Sequence, residues 1–192
     1  MKRKTLLTLV ALVAVAGVAL LGVVGRMVLQ PGPYAFAGGR PVALSAYRGP
    51  SPTGVPAELA LADTVTRGAY VASMADCQAC HTAPGGQPFA GGRAFVLPFG
   101  TIYTPNLTPD PEAGIGNWTD AQFLNAVHRG IAPDGSRYYP AFPYPSYTLL
   151  SDEDVLAIKA HLFTLKPVKQ ANKPNNFGFP YNQRWLMAIW SV

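Results

Sequence analysis

The sequence has 192 residues, of which 49% are hydrophobic and 13% charged, and it contains 19 glycines and 19 prolines. This length allows one domain of ordinary size with an appendage, and so many helix- and strand-breaking residues predict long ordered loops rather than a regular sheet. The net charge of +5 belongs to the N-terminal part, because residues 51–192 contain 9 basic and 10 acidic side chains. We therefore expect no nucleic-acid partner.

The first predicted element is an apolar helix preceded by basic residues. Lysine and arginine occupy positions 2–4, and residues 5–25 carry no charge. A helix of that length spans roughly 30 Å, the thickness of a bilayer core, and the preceding basic residues place its N-terminus in the cytoplasm. We predict a membrane anchor at residues 1–25. A cleaved signal peptide is the alternative, with a cleavage site at residues 35–37.

Residues 26–60 are predicted to form a linker, because proline and glycine recur there without a helical or strand period. The folded domain is predicted at residues 61–168. Residues 169–192 are predicted to form a C-terminal extension that packs on the domain, the membrane or a partner.

Three helices are predicted in the domain, since apolar residues recur at helical spacing between recognisable caps. Residues 82–118 separate the first helix from the second and are rich in proline and glycine. A loop this long in a compact domain is usually wrapped around a functional group. The first helix is predicted at about 61–75, the second from the Thr119/Gln122 capping box to Gly130, and the third from the Ser151/Asp154 capping box to Pro167.

The segment Cys77-Gln78-Ala79-Cys80-His81 follows the first helix and holds both cysteines of the sequence. C-x-x-C-H is the attachment signature of c-type haem. Two thiols at this spacing reach the two vinyl groups of the porphyrin, and the next residue lies under the ring. We predict that Cys77 and Cys80 form thioethers to one covalent haem c and that His81 is the proximal iron ligand.

Three other interpretations of the motif are weaker. A structural zinc site requires four ligands, whereas the other histidines, His128 and His161, are far apart in the sequence. A thioredoxin-like redox pair lies between a strand and a helix, but the surroundings here are helical and loop-rich. A plain disulfide across two residues would be strained and would not need His81.

Short blocks of sequence around the motif follow one another in the order of a known family. The chain resembles the membrane-bound cytochrome c subunits of bacterial periplasmic dehydrogenases, such as those for alcohols, aldehydes, gluconate and fructose, over about residues 61–190. The blocks are Arg67 to Tyr70, Cys77 to Gly86, Phe89 to Gly92, Phe99 to Tyr103, Asn106 to Asp110, Gly114 to Trp118, Tyr139 to Tyr144 and Leu150 to Val155.

The resemblance implies an all-α class I cytochrome c fold, with short helices and long loops around one haem, on an N-terminal transmembrane helix. It places the chain in the bacterial inner membrane with its domain facing the periplasm. It also implies the function. Such subunits accept electrons from a dehydrogenase catalytic subunit and pass them to ubiquinone or a terminal oxidase, so no substrate bond is made or broken in this chain.

The sequence departs from the family in two respects. Family members commonly carry three haem domains, whereas this sequence has one C-x-x-C-H motif. Many family domains have methionine in the block that holds Phe142 here, and phenylalanine cannot bind iron. We therefore predict Met187 as the sixth iron ligand, since methionine is a common partner of histidine in cytochromes c. In the alternative, Met187 packs on the membrane or a partner and the sixth site is empty; His161 and His128 are lesser candidates.

An open iron site would imply another function, that of a haem protein that binds or reduces a small ligand such as peroxide or a diatomic gas. A purely structural tether for a partner is a third possible function.

Further residues are expected around the haem. For each aromatic residue the competing role is core packing. The expected donors to the haem propionates are Arg93, Asn106 and Trp118, and the aromatics expected to line the ring are Tyr103, Phe142, Tyr144 and Tyr147.

Overall fold

The structure, a computed structural model, describes residues 3–29, 59 and 61–190. Most of the predicted linker, including the alternative cleavage site at residues 35–37, lies outside the described residues. The elements in chain order are α1 (Arg3–Leu29), α2 (Thr64–Met74), α3 (Cys77–Cys80), β1 (Ala94–Leu97), β2 (Gly100–Tyr103), α4 (Asp120–Arg129), α5 (Asp152–Leu162), β3 (Asn176–Phe177) and α6 (Met187–Trp190), with 3-10 turns at Tyr144–Tyr147 and Arg184–Leu186.

Helix α2 crosses α5, and this crossing forms the centre of the domain. The two helices meet at Gly68, where an added Cβ would overlap the backbone carbonyl of Ala157. The guanidinium Nε of Arg67 donates to the buried carboxylate of Asp154 at 2.6 Å and joins the helices beside this contact. The crossing buries a core that consists of Val71, Ala72, Phe89, Ile115, Phe123, Val155, Ile158 and Leu162.

The predicted helix caps are confirmed. Thr119 and Gln122 form a reciprocal capping box at the start of α4, and Gly130 ends that helix in the left-handed conformation at φ 64°. The Ser151 hydroxyl accepts from the backbone N–H of Asp154 at the start of α5. Helix α2 begins at Thr64, later than predicted, because the Asp63 side chain caps it by accepting from the N–H groups of residues 65 and 66.

A small sheet departs from the all-α prediction, which is therefore confirmed only for the helices. The three strands are antiparallel in the order β1-β2-β3. Strands β1 and β2 form a hairpin around Pro98 and Phe99, and β3 brings the C-terminal extension onto β2. Each strand has at most four residues, too few to show the alternation that predicts a strand.

Helix α1 contains one segment, Leu7–Arg26, that is long and apolar enough to cross a membrane; a signal sequence near the N-terminus would pass the same test. Its described side chains are exposed except at Gly17, Val24 and Gly25. The short helix α6 at the other end of the chain contacts α1. The C-terminal extension thus touches both the domain, through β3, and the apolar N-terminal helix.

Candidate haem site

The cysteine motif forms a single helical turn directly after α2. Asp76 adopts the left-handed conformation at φ 56° and redirects the chain between the two helices. The His81 N–H then donates to the Cys77 carbonyl at 3.0 Å and closes the turn. Cys77 and Cys80 are free, half-buried thiols, and burial raises the pKa of Cys77 to about 11.

The imidazole of His81 is oriented by a backbone carbonyl. Its Nδ1 lies 2.8 Å from the carbonyl oxygen of Pro105. A carbonyl oxygen only accepts, so Nδ1 carries the hydrogen and Nε2 carries the lone pair. Burial lowers the pKa of His81, which favours the neutral ring that binds metals. A histidine whose second nitrogen is hydrogen-bonded in this way is the usual form of a metal-ligating imidazole.

The competing interpretations of the motif find little support in the described residues. No cluster of three or more histidine, cysteine or acidic side chains able to hold a metal occurs among them. The motif follows a helix rather than a strand, unlike a thioredoxin-like pair. The thiols are not joined in a disulfide.

The three predicted propionate donors differ in their surroundings. The Arg93 guanidinium donates to the Ala79 carbonyl at 2.6 Å and lies over the Phe95 ring at 5.6 Å. Asn106 is buried, and its side-chain amide donates to the carbonyls of Val168 and Gln170 at 2.8 and 3.3 Å, which leaves no amide hydrogen for a propionate.

Trp118 is half-buried against the core. The backbone carbonyl of Trp118 accepts a hydrogen bond from the Lys159 ammonium at 2.8 Å. The indole N–H of Trp118 has no hydrogen-bond partner among the described residues. The indole hydrogen of Trp118 therefore stays available in this arrangement, as do the guanidinium hydrogens of Arg93 that do not bond to Ala79.

A cluster of aromatic rings surrounds Phe142. Its ring centroid lies 5.7 Å from that of Tyr138, 5.9 Å from that of Tyr147 and 6.3 Å from that of Tyr144. The Tyr147 hydroxyl donates to the Ala75 carbonyl at 2.9 Å, which ties the cluster to the end of α2 beside Cys77. Burial raises the pKa of Tyr147 to about 12. The aromatic cluster, defined as these four residues, includes Tyr138, which the sequence analysis did not single out.

Tyr103, the remaining aromatic candidate, lies apart on β2. Its ring lies under the Lys173 ammonium at 5.5 Å, and its backbone N–H donates to the Asn175 side chain at 2.9 Å. The structure thus brings Phe142, Tyr144 and Tyr147 together and gives Tyr103 different neighbours.

The candidate distal ligands lie on separate elements. Met187 begins α6 and is half-buried. His128 is near the end of α4, where its Nδ1 lies 3.5 Å from a carboxylate oxygen of Asp152. His161 lines a cavity of about 490 Å³ together with Gln78 and Ala79, the middle residues of the motif; that lining contains neither its cysteines nor His81.

Comparison with known proteins identifies the family of this chain. Residues 65–166 match the family model described as cytochrome c. The chain belongs to the cytochrome c family. Its cofactor is accordingly haem c, and two cysteines are the number that one covalent haem requires. The residues present fit that group. The helical turn after Asp76 carries both thiols, and the Pro105 carbonyl fixes the tautomer of the imidazole that follows them.

The chain is also similar to cytochrome subunits of dehydrogenases. It is 49% identical over 127 residues to the gluconate 2-dehydrogenase cytochrome c subunit of Pantoea cypripedii, covering 66% of this chain and 29% of that protein. It is 48% identical over 127 residues to the alcohol dehydrogenase (quinone) cytochrome c subunit of Gluconobacter oxydans, covering 66% and 27%. The fructose dehydrogenase cytochrome subunit of Gluconobacter japonicus is 44% identical over 131 residues, covering 67% and 27%. The chain thus spans less than a third of the length of these relatives.

Proposed function

We propose that this chain is the electron-transfer component of a membrane-bound dehydrogenase that faces the bacterial periplasm. In this proposal it accepts electrons from a catalytic subunit and passes them to ubiquinone or a terminal oxidase. The observation that carries the proposal is the His81 imidazole, whose Nδ1–H is held by the Pro105 carbonyl in a chain of the cytochrome c family. The named dehydrogenase relatives support the choice of partner.

Within this proposal the residues of the motif hold the cofactor. Cys77 and Cys80 form its thioethers, and His81 Nε2 is the proximal ligand. The haem, when bound, supplies one-electron chemistry by cycling its iron between the ferric and ferrous states. Residues 61–168 form the cytochrome domain. The aromatic cluster excludes water from the distal side, and its low polarity disfavours the more highly charged ferric state.

We further propose Met187 as the sixth ligand. Phe142 occupies the expected ligand block and is enclosed by other rings, whereas Met187 is a half-buried thioether at the end of the extension. The test is Met187→Ala in the full chain, examined by near-infrared absorption and magnetic spectra. Loss of the sulfur-to-iron charge-transfer band and faster binding of carbon monoxide are expected. An unchanged low-spin spectrum with that band intact would eliminate Met187.

The proposed location is the inner membrane, with residues 1–25 as an anchor, residues 26–60 as a linker and the domain in the periplasm. An apolar α1 of sufficient length supports this, as does the contact between α6 and α1. Residues 169–192 contain Lys169, Lys173 and Arg184 but no acidic residue, a charge that suits anionic lipid headgroups. Retention of the chain in washed membranes, and its release when α1 is deleted, would support an uncleaved anchor.

The function can be tested in membranes of the source organism. Gluconate, ethanol or fructose is added under anaerobic conditions, and the ferrous haem c absorbance and ubiquinone reduction are followed in wild-type membranes and in membranes lacking this chain. One substrate should reduce the haem at the rate of turnover, and deletion of the chain should abolish ubiquinone reduction by that substrate. A haem that stays ferric with every substrate, together with unaltered ubiquinone reduction after deletion, would contradict the proposal.

A further inference from the structure

One peptide group connects the histidine of the motif to the C-terminal extension. The carbonyl of Pro105 accepts the hydrogen bond from His81 Nδ1 at 2.8 Å. The N–H at the other end of the same peptide belongs to Asn106, and it donates to the side-chain oxygen of Asn172 at 2.7 Å. The three groups therefore form a continuous chain of hydrogen bonds from the imidazole through one amide to Asn172.

The orientation of the Asn172 amide follows from its partners. An N–H only donates, so the atom that faces Asn106 is the oxygen, Oδ1. The other side-chain atom, Nδ2, lies 2.9 Å from the carbonyl oxygen of Ala113, which only accepts, so this atom is the nitrogen. Asn172 thus bridges two segments of the long loop and is held at both ends.

The peptide itself has little freedom to move. Gly91 packs against it at φ +74°, and an added Cβ there would lie 2.5 Å from both the carbonyl carbon and the carbonyl oxygen of Pro105. The Gly91 N–H donates to the His81 carbonyl at 2.7 Å. The Gln170 side chain donates to the carbonyls of Ala90 and Gly91 at 2.8 and 3.2 Å. Through Gln170 and Asn172 the extension thereby holds both loop segments that contact His81, residues 90–91 and residues 105–106.

Hydrogen bonds in such a chain polarise one another. When the Asn106 N–H donates to Asn172, electron density shifts along the amide toward the Pro105 oxygen, which then accepts more strongly from His81. A more strongly held Nδ1–H makes the imidazole a more electron-rich ligand. Electron donation from an axial ligand stabilises ferric over ferrous iron and lowers the reduction potential.

We propose that Asn172 is a positioning residue for His81, which acts through the Pro105–Asn106 peptide to lower the reduction potential of the haem. This inference rests on the proposed role of His81 as the iron ligand. It assigns to the C-terminal extension a function in setting the potential. Residues that only cover the domain would not have this effect.

The decisive comparison is Asn172→Ala against Asn175→Ala in the full chain. Asn175 is a matched control. It lies in the same extension as Asn172, and its side-chain oxygen also accepts a hydrogen bond from a backbone N–H, that of Tyr103, at 2.9 Å. The Tyr103 N–H belongs to a different peptide from the one that contacts His81. Both variants therefore remove the acceptor of a backbone N–H, and only the Asn172 acceptor lies in the relay; Asn172→Ala also removes the bond to the Ala113 carbonyl.

We expect Asn172→Ala to raise the potential, measured by spectroelectrochemical titration. Asn172 is exposed, so water replaces its oxygen in part, and we expect a change in the reduction equilibrium of about two- to tenfold, or about 18 to 59 mV for a one-electron couple. The His81 Nδ1–H resonance of the reduced, diamagnetic protein should move upfield as its hydrogen bond weakens. Asn175→Ala should leave both quantities unchanged.

Equal shifts in the two variants, or no shift in a folded Asn172→Ala protein, would overturn the inference. If Asn172→Ala does not fold, Asn172→Asp decides, since it keeps an acceptor and strengthens it. A downfield His81 Nδ1–H and a lower potential then support the relay, and an unmoved proton refutes it. Failure of the underlying ligand assignment is seen separately, because His81→Ala would then retain the low-spin haem spectrum of the wild type.

Discussion

The two sides of the candidate haem site are built by different interactions. On the proximal side, His81 is fixed by a backbone carbonyl, and the loop around that carbonyl is held by buried polar side chains, Asn106, Thr108 and Asp110, that are at most 2% exposed. On the side proposed as distal, aromatic rings pack around Phe142 at centroid distances of 5.7 to 6.3 Å. Hydrogen bonds fix direction as well as distance, whereas ring packing adjusts to small displacements. A substitution on the proximal side should therefore cause a large loss of stability. A substitution on the side proposed as distal should cause a smaller, gradual loss.

The largest expected effect comes from closing the space against the Pro105 peptide. Gly91→Ala places a Cβ 2.5 Å from that peptide at φ +74°. The left-handed conformation costs an alanine about 1–2 kcal/mol, and overpacking against backbone adds about 1–3 kcal/mol. We expect a loss of about 2–5 kcal/mol in the free energy of unfolding, measured by denaturant titration.

Gly85→Ala is the matched control for this change. Gly85 has a similar φ of +70° but no atom within 4 Å of an added Cβ, so it should cost only the conformational part. Similar losses in the two variants would show that the Pro105 peptide yields readily, and the contrast between the two sides would then disappear.

On the distal side, Phe142→Ala should have a smaller effect. A fully buried phenylalanine replaced by alanine loses about 3–5 kcal/mol, but Phe142 is only half-buried. We expect about 1–2 kcal/mol, with the His81 ligation and its spectrum retained. Phe179→Ala, at a side chain that is 81% exposed, should be neutral in the same denaturant titration. A loss in Phe142→Ala as large as that in Gly91→Ala would contradict the gradual response.

The hydrogen bond that joins the aromatic cluster to the end of α2 should contribute less. Tyr147→Phe keeps the ring and removes the bond to the Ala75 carbonyl, so we expect a loss of about 1 kcal/mol. Tyr139→Phe removes a longer and exposed bond, 3.2 Å to the Tyr181 carbonyl, and should cost less. The thermal midpoints of the two variants are compared. A larger loss in Tyr139→Phe than in Tyr147→Phe would show that the Tyr147 bond does not join the aromatic cluster to the end of α2.

The sequence predicted what depends on neighbouring residues. The motif, the capping box at Thr119, the N-cap at Ser151 and the glycine at the end of α4 are all encoded within a few positions. Long-range contacts were not predictable in the same way. The acceptors of the Asn106 amide hydrogens lie more than 60 residues away along the chain, so nothing near Asn106 indicated that these hydrogens were already bonded.

The sheet was missed for a related reason. Strand β2 has one partner next to it in the sequence and another in the extension, at Asn176 and Phe177. A two-residue strand has no recognisable period, and its pairing is decided by where the loop places it. The bond from the Arg93 guanidinium to the Ala79 carbonyl at 2.6 Å is likewise a contact between separate segments, 14 residues apart, that the local sequence does not indicate.

The smallest expected effect is a pH dependence that arises from His128 near the end of α4. Burial lowers the pKa of His128 below its ordinary 6.5, against the opposing influence of Asp152 at 3.5 Å, while the neighbouring Arg129 acts in the same direction as burial. Between the folded and unfolded pKa values the unfolded chain binds a proton that the folded chain does not. The stability is therefore complete above about pH 6.5 and decreases as the pH falls through that value toward the folded pKa.

His128→Gln removes this proton uptake without adding a charge. Its free energy of unfolding should depend less on pH between about 5 and 7 than that of the wild type, and the difference between the two proteins should stay constant above pH 7.5, where the histidine is neutral in both states. Asp152→Asn should act in the opposite sense, because removing the carboxylate lowers the folded pKa of His128 further and widens the range over which stability is lost. Parallel profiles for all three proteins would assign the acid sensitivity to groups other than His128.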